Sequence, residues 1–174
     1  ADGLRMEALQ KEHNVTMTVG HSARLLKGIQ MMKNNLDDGS LGKLAFIEAN
    51  FSNERALELT PDTWRWYRDR APGGPLSQLA IHMFDILHYL GGDVDGVSSI
   101  ASKLSPVGAE VDDQSMSTVR FKNGVLGYVG SCWTSPGIFS TRVFAQAGLM
   151  HFELDFASWD EPENLHKSSS LYIQ

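Results

Sequence analysis

The sequence is poor in three features that each point to a class of protein: cysteine, long apolar runs and excess positive charge. It contains 1 cysteine, Cys132, among 174 residues, so no internal disulfide can form. No Cys/His cluster has the spacing of a structural zinc site. This use of cysteine favours a reducing compartment, and we expect a cytoplasmic protein.

Two further absences concern membranes and nucleic acids. No apolar run reaches the roughly 18 residues of a membrane span, and no charged-then-apolar leader is present. We therefore expect neither a membrane partner nor a signal peptide. The 15 Lys and Arg and 21 Asp and Glu are interspersed and give a formal net charge of −6 at pH 7. Nucleic acid is not an expected partner, because phosphate binding requires a basic face.

What remains is the composition of one ordinary globular domain. The chain is 42% hydrophobic and 9% aromatic, which is enough for a core without disulfide or metal support. Gly73-Gly74 and Gly91-Gly92 lack the G-x-G-x-x-G spacing and do not lie between a strand and a helix. We therefore expect this chain alone to bind no dinucleotide.

Helical periodicity predicts three helices. Residues 2–14 form the first, with Asp2 as candidate N-cap, and the β-rich residues 15–19 that follow predict a strand. Residues 23–36 form the second, between Ser22 as candidate cap and Gly39 as stop. Residues 76–90 form the third, which is apolar nearly all round and so is predicted to be buried. The inward face of the second helix is predicted to contain Leu25, Leu26, Ile29, Met32 and Leu36.

From Gly92 onward the apolar period is two, which indicates strands. Asn123-Gly124 predicts one hairpin and Gly148 another. Antiparallel strands after two helices predict an α+β fold, an open-faced, mostly antiparallel sheet with helices on one face. The other face must be solvated or paired with another subunit. The strands are predicted at residues 44–51, 98–107, 115–122, 125–133, 141–147, 149–156 and 169–174.

Polar residues interrupt the third helix on one side. At about 100° per residue they fall within roughly 60° of one another. Since an unsatisfied buried polar group costs about 1–3 kcal/mol, the stripe is either a satisfied internal network or a site opened by the glycine loop before it. The residue types suit proton transfer, because imidazole titrates near neutrality and a neighbouring Asp or Gln can orient it. The polar stripe consists of Gln78, His82, Asp85 and Tyr89.

Residues 64–70 read WRWYRDR and directly precede this helix. Such a stretch either covers a core edge or forms a lip where indoles stack on sugar rings and guanidinium groups hold hydroxyls. In the second case Trp64, Arg65 and Arg68 are substrate-binding candidates. Arg24 and His21, at the mouth of the second helix, are either surface residues or walls of the same pocket.

A metal site is the less favoured interpretation of the third helix. It would use His82, Asp85 and His88, but His88 projects roughly 100° away from the side of the helix that carries Asp85. We expect no metal.

Three ordered blocks resemble the region after the Rossmann domain in the GFO/IDH/MocA family of glucose-fructose oxidoreductase and inositol dehydrogenase. The blocks are VGHSARLLKGIQMMKNNLDDGSLGKL, WRWYRDRAPGGPLSQLAIHMFDILHYLGG and VDDQSMSTVRFKNGVLGYVGS, and the similarity covers most of the chain. The resemblance implies that residues 1–19 are the last helix and strand of a truncated nucleotide-binding domain. Residues 20–174 would be the substrate-binding and oligomerisation domain, truncated at its C-terminus. NAD or NADP would bind the full-length protein, and none is expected on this fragment.

The resemblance also implies a reaction. In the family, an Asp and a His four residues later on this helix work with a lysine of the nucleotide-binding domain to move a hydroxyl proton while hydride passes to NAD(P). His82 matches the histidine, whereas Gln78 stands at the aspartate position and can hydrogen-bond a substrate but cannot take its proton.

The implied function is that of a dehydrogenase for a sugar, polyol or inositol-like hydroxyl, inactive as a fragment and assembled as a homo-oligomer through the open sheet face. His82 and Gln78 are the candidate catalytic residues, with Asp85 as an orienter of the network. The departure at Gln78 leaves an alternative, which is a non-catalytic carbohydrate-binding or assembly module on the same scaffold.

Overall fold

A seven-stranded sheet with helices on one face forms the body of the chain. The computed structural model describes residues 2–155 and 169–174. The strand order is β2-β3-β4-β1-β5-β6-β7; β1 pairs in parallel with β4, and every other pair is antiparallel. The predicted α+β class is confirmed. The helices are α1 Asp2–His13, α2 Lys27–Asp37 and α3 Ile81–Gly91, and the strands are β1 Leu44–Ser52, β2 Val94–Ser102, β3 Gln114–Phe121, β4 Leu126–Cys132, β5 Ile138–Ala145, β6 Gly148–Leu154 and β7 Ser169–Ile173.

The strands of the sheet agree with the predicted bounds to within two residues except for β2 and β5. The strand β2 begins at Val94, before the predicted start at residue 98, and β5 begins at Ile138, before the predicted start at residue 141. Residues 98–107 were expected as a strand, but β2 ends at Ser102. The buried Asp113 carboxylate accepts hydrogen bonds from the backbone N–H groups of Leu104 and Ser105, each at 2.8 Å, and so draws the chain out of the ladder. Residues 141–147 were expected as another strand, but β5 ends at Ala145. The backbone N–H groups of the two residues after Ala145 donate instead to carbonyl groups of the segment that precedes β1. The predicted end at residue 156 lies outside the described residues.

The core lies between the sheet and the two central helices. Ile29, Met32, Met83, Ile86 and Leu87 are fully buried there, and burial of each such side chain contributes about 1.5–3 kcal/mol. The helix α2 approaches β6 so closely that a Cβ on its Gly28 would lie 2.2 Å from a ring carbon of Phe152. The contact therefore requires glycine at this position.

The predicted helix at residues 23–36 is broken. A 3₁₀ turn, Ser22–Leu25, ends at the extended residue Leu26, with ψ 132°, and α2 starts only after it. The break turns Leu25 outward, where it is 67% exposed, so its predicted inward position was wrong. The Ser22 side chain makes no capping hydrogen bond, because Ser22 lies inside the turn and His21 precedes it. Gly39 does terminate the helix as predicted, with φ +75° directly after Asp38.

The N-terminal segment differs from the rest of the described chain. The helix α1 has no buried residue, and its leucines are exposed, with Leu4 at 74%. The strand predicted at residues 15–19 is wrong: these residues are exposed and carry no ladder hydrogen bonds. A β-rich sequence becomes a strand only beside a partner, and none of the described strands pairs with it.

The polar helix begins with an unusual turn. Its first five residues, Leu76–Ala80, form a π-helical turn that continues into α3. Gly74, at φ +48°, lies against the backbone of Asp112, where a Cβ would be 2.0 Å from the carbonyl oxygen. The Ser131 hydroxyl, on β4, lies 3.3 Å from the Pro75 carbonyl. The glycine loop is thus fastened to the sheet, and the start of the polar stripe with it.

Candidate functional site

Every member of the polar stripe finds a partner on another part of the chain. His82 packs against His21, Asp85 pairs with Arg24, Tyr89 lies beneath Arg24 and Lys33, and Gln78 is near Arg65. The structure therefore brings the stripe together with three of the predicted wall residues. The largest contribution comes from the 3₁₀ turn Ser22–Leu25 and the residue before it.

Asp85 is bound by Arg24. The Arg24 Nε donates to Oδ2 of Asp85 at 2.8 Å, and a second guanidinium N–H donates to Oδ1. The Asp85 side chain is 10% exposed, and the Arg24 guanidinium also lies 5.3 Å above the Tyr89 ring. The hydrogen bond to Asp85 raises the pKa of Arg24, so the guanidinium group stays charged at neutral pH. Asp85 thus orients Arg24, whereas the sequence had suggested that it orients the network around His82.

His82 is the titratable centre of the stripe. Its ring is half-buried, with its centroid 5.9 Å from that of His21 in an edge-on arrangement and 6.1 Å from that of Phe51. Burial lowers the pKa of His82, the neighbouring His21 lowers it further, and Asp85 opposes them. Since free imidazole titrates near 6.5, His82 is neutral at pH 7 and can accept a proton.

A cavity of about 330 Å³ adjoins His82. Its size is at the lower end of the range for small-molecule sites, about 300–1,000 Å³. The imidazole is the one titratable side chain among its described lining residues, which are otherwise small or apolar. These residues are Ser22, Ala23, Leu25, Leu26, Phe51, Phe139 and Leu154.

The aromatic and arginine stretch divides between two roles. Arg65 stacks over the Trp64 ring, with its guanidinium carbon 4.4 Å from the centroid, and its Nε lies 3.4 Å from Oε1 of Gln78. Burial, and to a lesser extent Arg55, lowers the pKa of Arg65. Arg68 instead donates from Nε and Nη2 to the Glu110 carbonyl at 3.0 and 2.8 Å. Arg65 therefore reaches the stripe and Trp64 stacks against Arg65, while Arg68 fastens a loop.

His88 takes no part in the stripe. Its side chain is 55% exposed, and its Nε2 lies 3.7 Å from a carboxylate oxygen of Asp93. Within residues 2–155 and 169–174, no three His, Cys, Asp or Glu side chains are grouped closely enough to hold a metal ion. In the same part of the chain, no helix has the length and hydropathy to cross a membrane.

Two features of the site escaped the sequence analysis. The π-helical turn has no local signal in LSQLA, since the sequence is compatible with an ordinary α-helix. The contacts of His21 with His82 and of Arg24 with Asp85 join segments that are distant in sequence. The only sign of them in the sequence is a shared spacing, because His21 and Arg24 are three residues apart and so are His82 and Asp85.

Comparison with known proteins identifies the family. The family described as GFO/IDH/MocA C-terminal domain matches residues 29–151. The chain belongs to this family. The resemblance that the three sequence blocks predicted is therefore confirmed.

Individual relatives agree with this assignment. A crystal structure from Desulfitobacterium hafniense, of a protein provisionally assigned as an NADPH-dependent oxidoreductase, has a TM-score of 0.91 and 35% identity over 98% of this chain and 49% of its own. The levoglucosan dehydrogenase of Pseudarthrobacter phenanthrenivorans is 24% identical over 73% of this chain and 38% of its own. A levoglucosan dehydrogenase solved with NADH and levoglucosan has a TM-score of 0.75 at 21% identity, over 92% of this chain and 47% of its own, which shows the shared fold.

The chain thus spans about half the length of these solved relatives and less of the curated one. Two of these relatives are named levoglucosan dehydrogenases, one of them solved with NADH, and the third is provisionally assigned as an NADPH-dependent oxidoreductase. Their names support an oxidoreductase role with a nicotinamide cofactor at the level of the family.

Proposed function

We propose that this chain is the substrate-binding and oligomerisation domain of an NAD(P)-dependent oxidoreductase that acts on a sugar, polyol or inositol-like hydroxyl by hydride transfer. Residues 1–19 are then the last segment of the nucleotide-binding domain, and activity requires the full-length protein. The exposed apolar side chains of α1, Leu4, Met6 and Leu9, are consistent with a neighbouring domain, because an isolated helix gains little from such side chains.

One observation carries the proposal: a neutral imidazole on a buried helix opens on a cavity of substrate size. Oxidation of an alcohol requires a group that accepts the hydroxyl proton as hydride leaves the carbon, and His82 has the lowered pKa and the position for this role. The Gln78 side chain supplies an amide N–H that can hold a second hydroxyl, since its oxygen already faces Arg65. Trp64 and Arg65 extend the polar edge of the site.

The described residues do not fit a dinucleotide. None of their strands leads through a glycine loop into a helix, and the glycine loop before α3 follows a 3₁₀ turn and irregular chain. The described residues therefore offer no cradle for the pyrophosphate of the cofactor, which needs such a loop. The residues of this chain bind and orient the hydroxyl substrate and take up its proton.

The second candidate function is a non-catalytic carbohydrate-binding or assembly module on the same scaffold. Gln78 is the observation in its favour, because an amide cannot replace the carboxylate that the family resemblance leads one to expect at this position. The two functions differ in whether His82 affects turnover or only binding.

The test is the His82→Ala variant of the full-length protein, assayed with NAD and NADP on a panel of sugars and polyols. We expect kcat to fall by about 10²–10⁴-fold with little change in KM, because a proton-transfer group acts mainly in the transition state. The matched control is His88→Ala, which removes an exposed imidazole from the same helix and is expected to leave both constants unchanged.

Two outcomes would contradict the proposal. Wild-type turnover in His82→Ala at every pH would reduce the polar stripe to a satisfied core network. Binding of a sugar by the full-length protein without turnover of any member of the panel would favour the binding module.

A further inference from the structure

Two residues before α2 face two residues of α3 in parallel. Arg24 lies in the 3₁₀ turn Ser22–Leu25, and His21 is the residue that precedes this turn. On α3, residues three apart share a face, as His82 and Asp85 do. The two segments therefore meet in two pairs, His21 with His82 and Arg24 with Asp85.

The Arg24–Asp85 pair is the fixed one. Both carboxylate oxygens accept hydrogen bonds from the guanidinium group, which also lies over the Tyr89 ring. Such bidentate pairs define orientation as well as distance. The pair therefore anchors the 3₁₀ turn on α3 and occupies the one carboxylate that lies a turn from His82.

The His21–His82 pair is the open one. The two rings meet edge-on, and Nδ1 of His21 is enclosed without a hydrogen-bond partner among the described residues. An enclosed nitrogen of this kind is destabilising unless something bonds to it. A hydroxyl group held between the two imidazoles would supply that bond.

Few charged or titratable groups face His82. The residue before the 3₁₀ turn is His21, which faces His82, and α3 itself contributes Asp85, while β1 presents the Phe51 ring. Arg24 is engaged with Asp85, and Arg65 lies near Gln78 at the beginning of the helix. The proton affinity of His82 thus depends on how far the Asp85 carboxylate is engaged by Arg24.

We propose that Arg24 and His21 are positioning residues for His82, so that His82 meets a hydroxyl substrate as a proton acceptor. Arg24 engages the Asp85 carboxylate, and His21 places a second imidazole beside that of His82. The catalytic meaning of this arrangement rests on the proposed function. The electrostatic arrangement itself does not, because it concerns the proton affinity of His82 in the protein without substrate or cofactor.

The experiment is an NMR titration of the chain labelled with ¹³C in its 6 histidines, with the His82 signal assigned from His82→Gln. In Arg24→Met, which removes the charge and keeps much of the length, we expect the proton affinity of His82 to rise about tenfold. A released carboxylate near an imidazole stabilises its charged form to about this extent. His21→Phe keeps a ring at the contact and is expected to raise the affinity by a smaller factor, because it removes the like charge.

A double-mutant comparison separates action through Asp85 from a direct effect of the Arg24 charge. The proposal predicts that Arg24→Met has no effect in an Asp85→Asn background. It also predicts that in Arg24→Lys, which keeps a cation within reach of the carboxylate, the proton affinity of His82 stays within about threefold of the wild-type value. If the Arg24→Met variant does not fold, the same comparison is made with Arg24→Gln, whose amide keeps a hydrogen-bond donor at this position.

The proposal is overturned if the His82 midpoint is unchanged in the folded Arg24 variant, or if it rises equally with Asp85→Asn present. Failure of this titration would leave the turnover test of His82 unaffected, and failure of the turnover test would leave the titration unaffected. The two proposals can therefore fail independently.

Discussion

The two faces of the sheet are built differently although their residues alternate along the same strands. On β1, Ile47, Ala49 and Phe51 point to the helices and are buried. Between them, Phe46, Glu48 and Asn50 point to the face that carries no helix, and each is only partly exposed. The covered face is filled by apolar packing, whereas the open face shields a charge.

That charge is the Glu48 carboxylate. Its side chain is 12% exposed and forms an ion pair with Arg142, its partner residue on β5. On the other side Glu48 is in register with Tyr128 of β4, and the pKa of Tyr128 is raised by burial and by Glu48. Phe46 lies beside Tyr128 and Phe144, with ring centroids 6.2 and 5.9 Å apart. Aromatic rings thus keep water from the Glu48 carboxylate on a face that has no helix to cover it.

The covered face thus depends on shape, and the open face depends on charge and exposed apolar area. A change of volume should therefore be most damaging on the covered face. A change of charge should be damaging on the open face only where the charge is shielded.

The largest effect is expected at Gly28. In Gly28→Ala the new methyl group would lie within 2.5 Å of two ring carbons of Phe152, so α2 or the ring must move. Overpacking of this kind costs about 1–3 kcal/mol of unfolding free energy, which urea denaturation measures. The control is Gly3→Ala in α1, where nothing lies within 4 Å and the better helix propensity of Ala should give a small gain. Equal stability of Gly28→Ala and the wild type would mean that this face is loosely packed.

A smaller effect is expected at Arg142. Arg142→Met leaves the shielded Glu48 carboxylate without its cation and should cost about 1–2 kcal/mol, less than for a fully buried pair because Arg142 is 47% exposed. Adding Glu48→Gln should recover part of that loss, since a neutral amide is less costly to shield. The matched control is Arg120→Met on β3, whose pair with Asp95 is exposed and should contribute less than about 0.5 kcal/mol. If both arginine variants lose the same stability, the aromatic rings do not shield Glu48.

Local patterns in the sequence predicted the covered face well. The period of two gave the strands, and Asn123-Gly124 gave the hairpin, where Gly124 has φ +87° and Oδ1 of Asn123 accepts from the Val125 N–H. The stripe on α3 was also predicted, because a polar residue in an apolar helix stands out. These features depend on residues that are close in sequence, so local rules describe them.

Features that depend on distant partners were not predicted. No glycine, proline or capping side chain marks the break at Leu26, which exists because Arg24 binds Asp85 while Leu26 packs on the core. Asp113 ends β2 from the far side of a loop. On the open face, the alternation predicted which residues point outward, but the ion pair of Glu48 with Arg142 required the register of β1 on β5.

The smallest effect on stability, and the one that tests the open face as an interface, is expected for Met116→Lys. Met116 is 61% exposed on β3 and lines an apolar groove of about 650 Å³ with Phe46, Leu126 and Tyr128. Exposed apolar area of this kind is typical of a surface that pairs, and self-association through this face is part of the proposed function. A lysine there should raise the dissociation constant about tenfold, measured by analytical ultracentrifugation, and change the unfolding free energy by less than about 0.5 kcal/mol. The control is Leu57→Lys, an exposed leucine on the 3₁₀ turn Arg55–Glu58, which should leave association unchanged. A wild-type chain that stays monomeric at high micromolar concentration would contradict the interface, and the exposed residues of this face would then be ordinary surface.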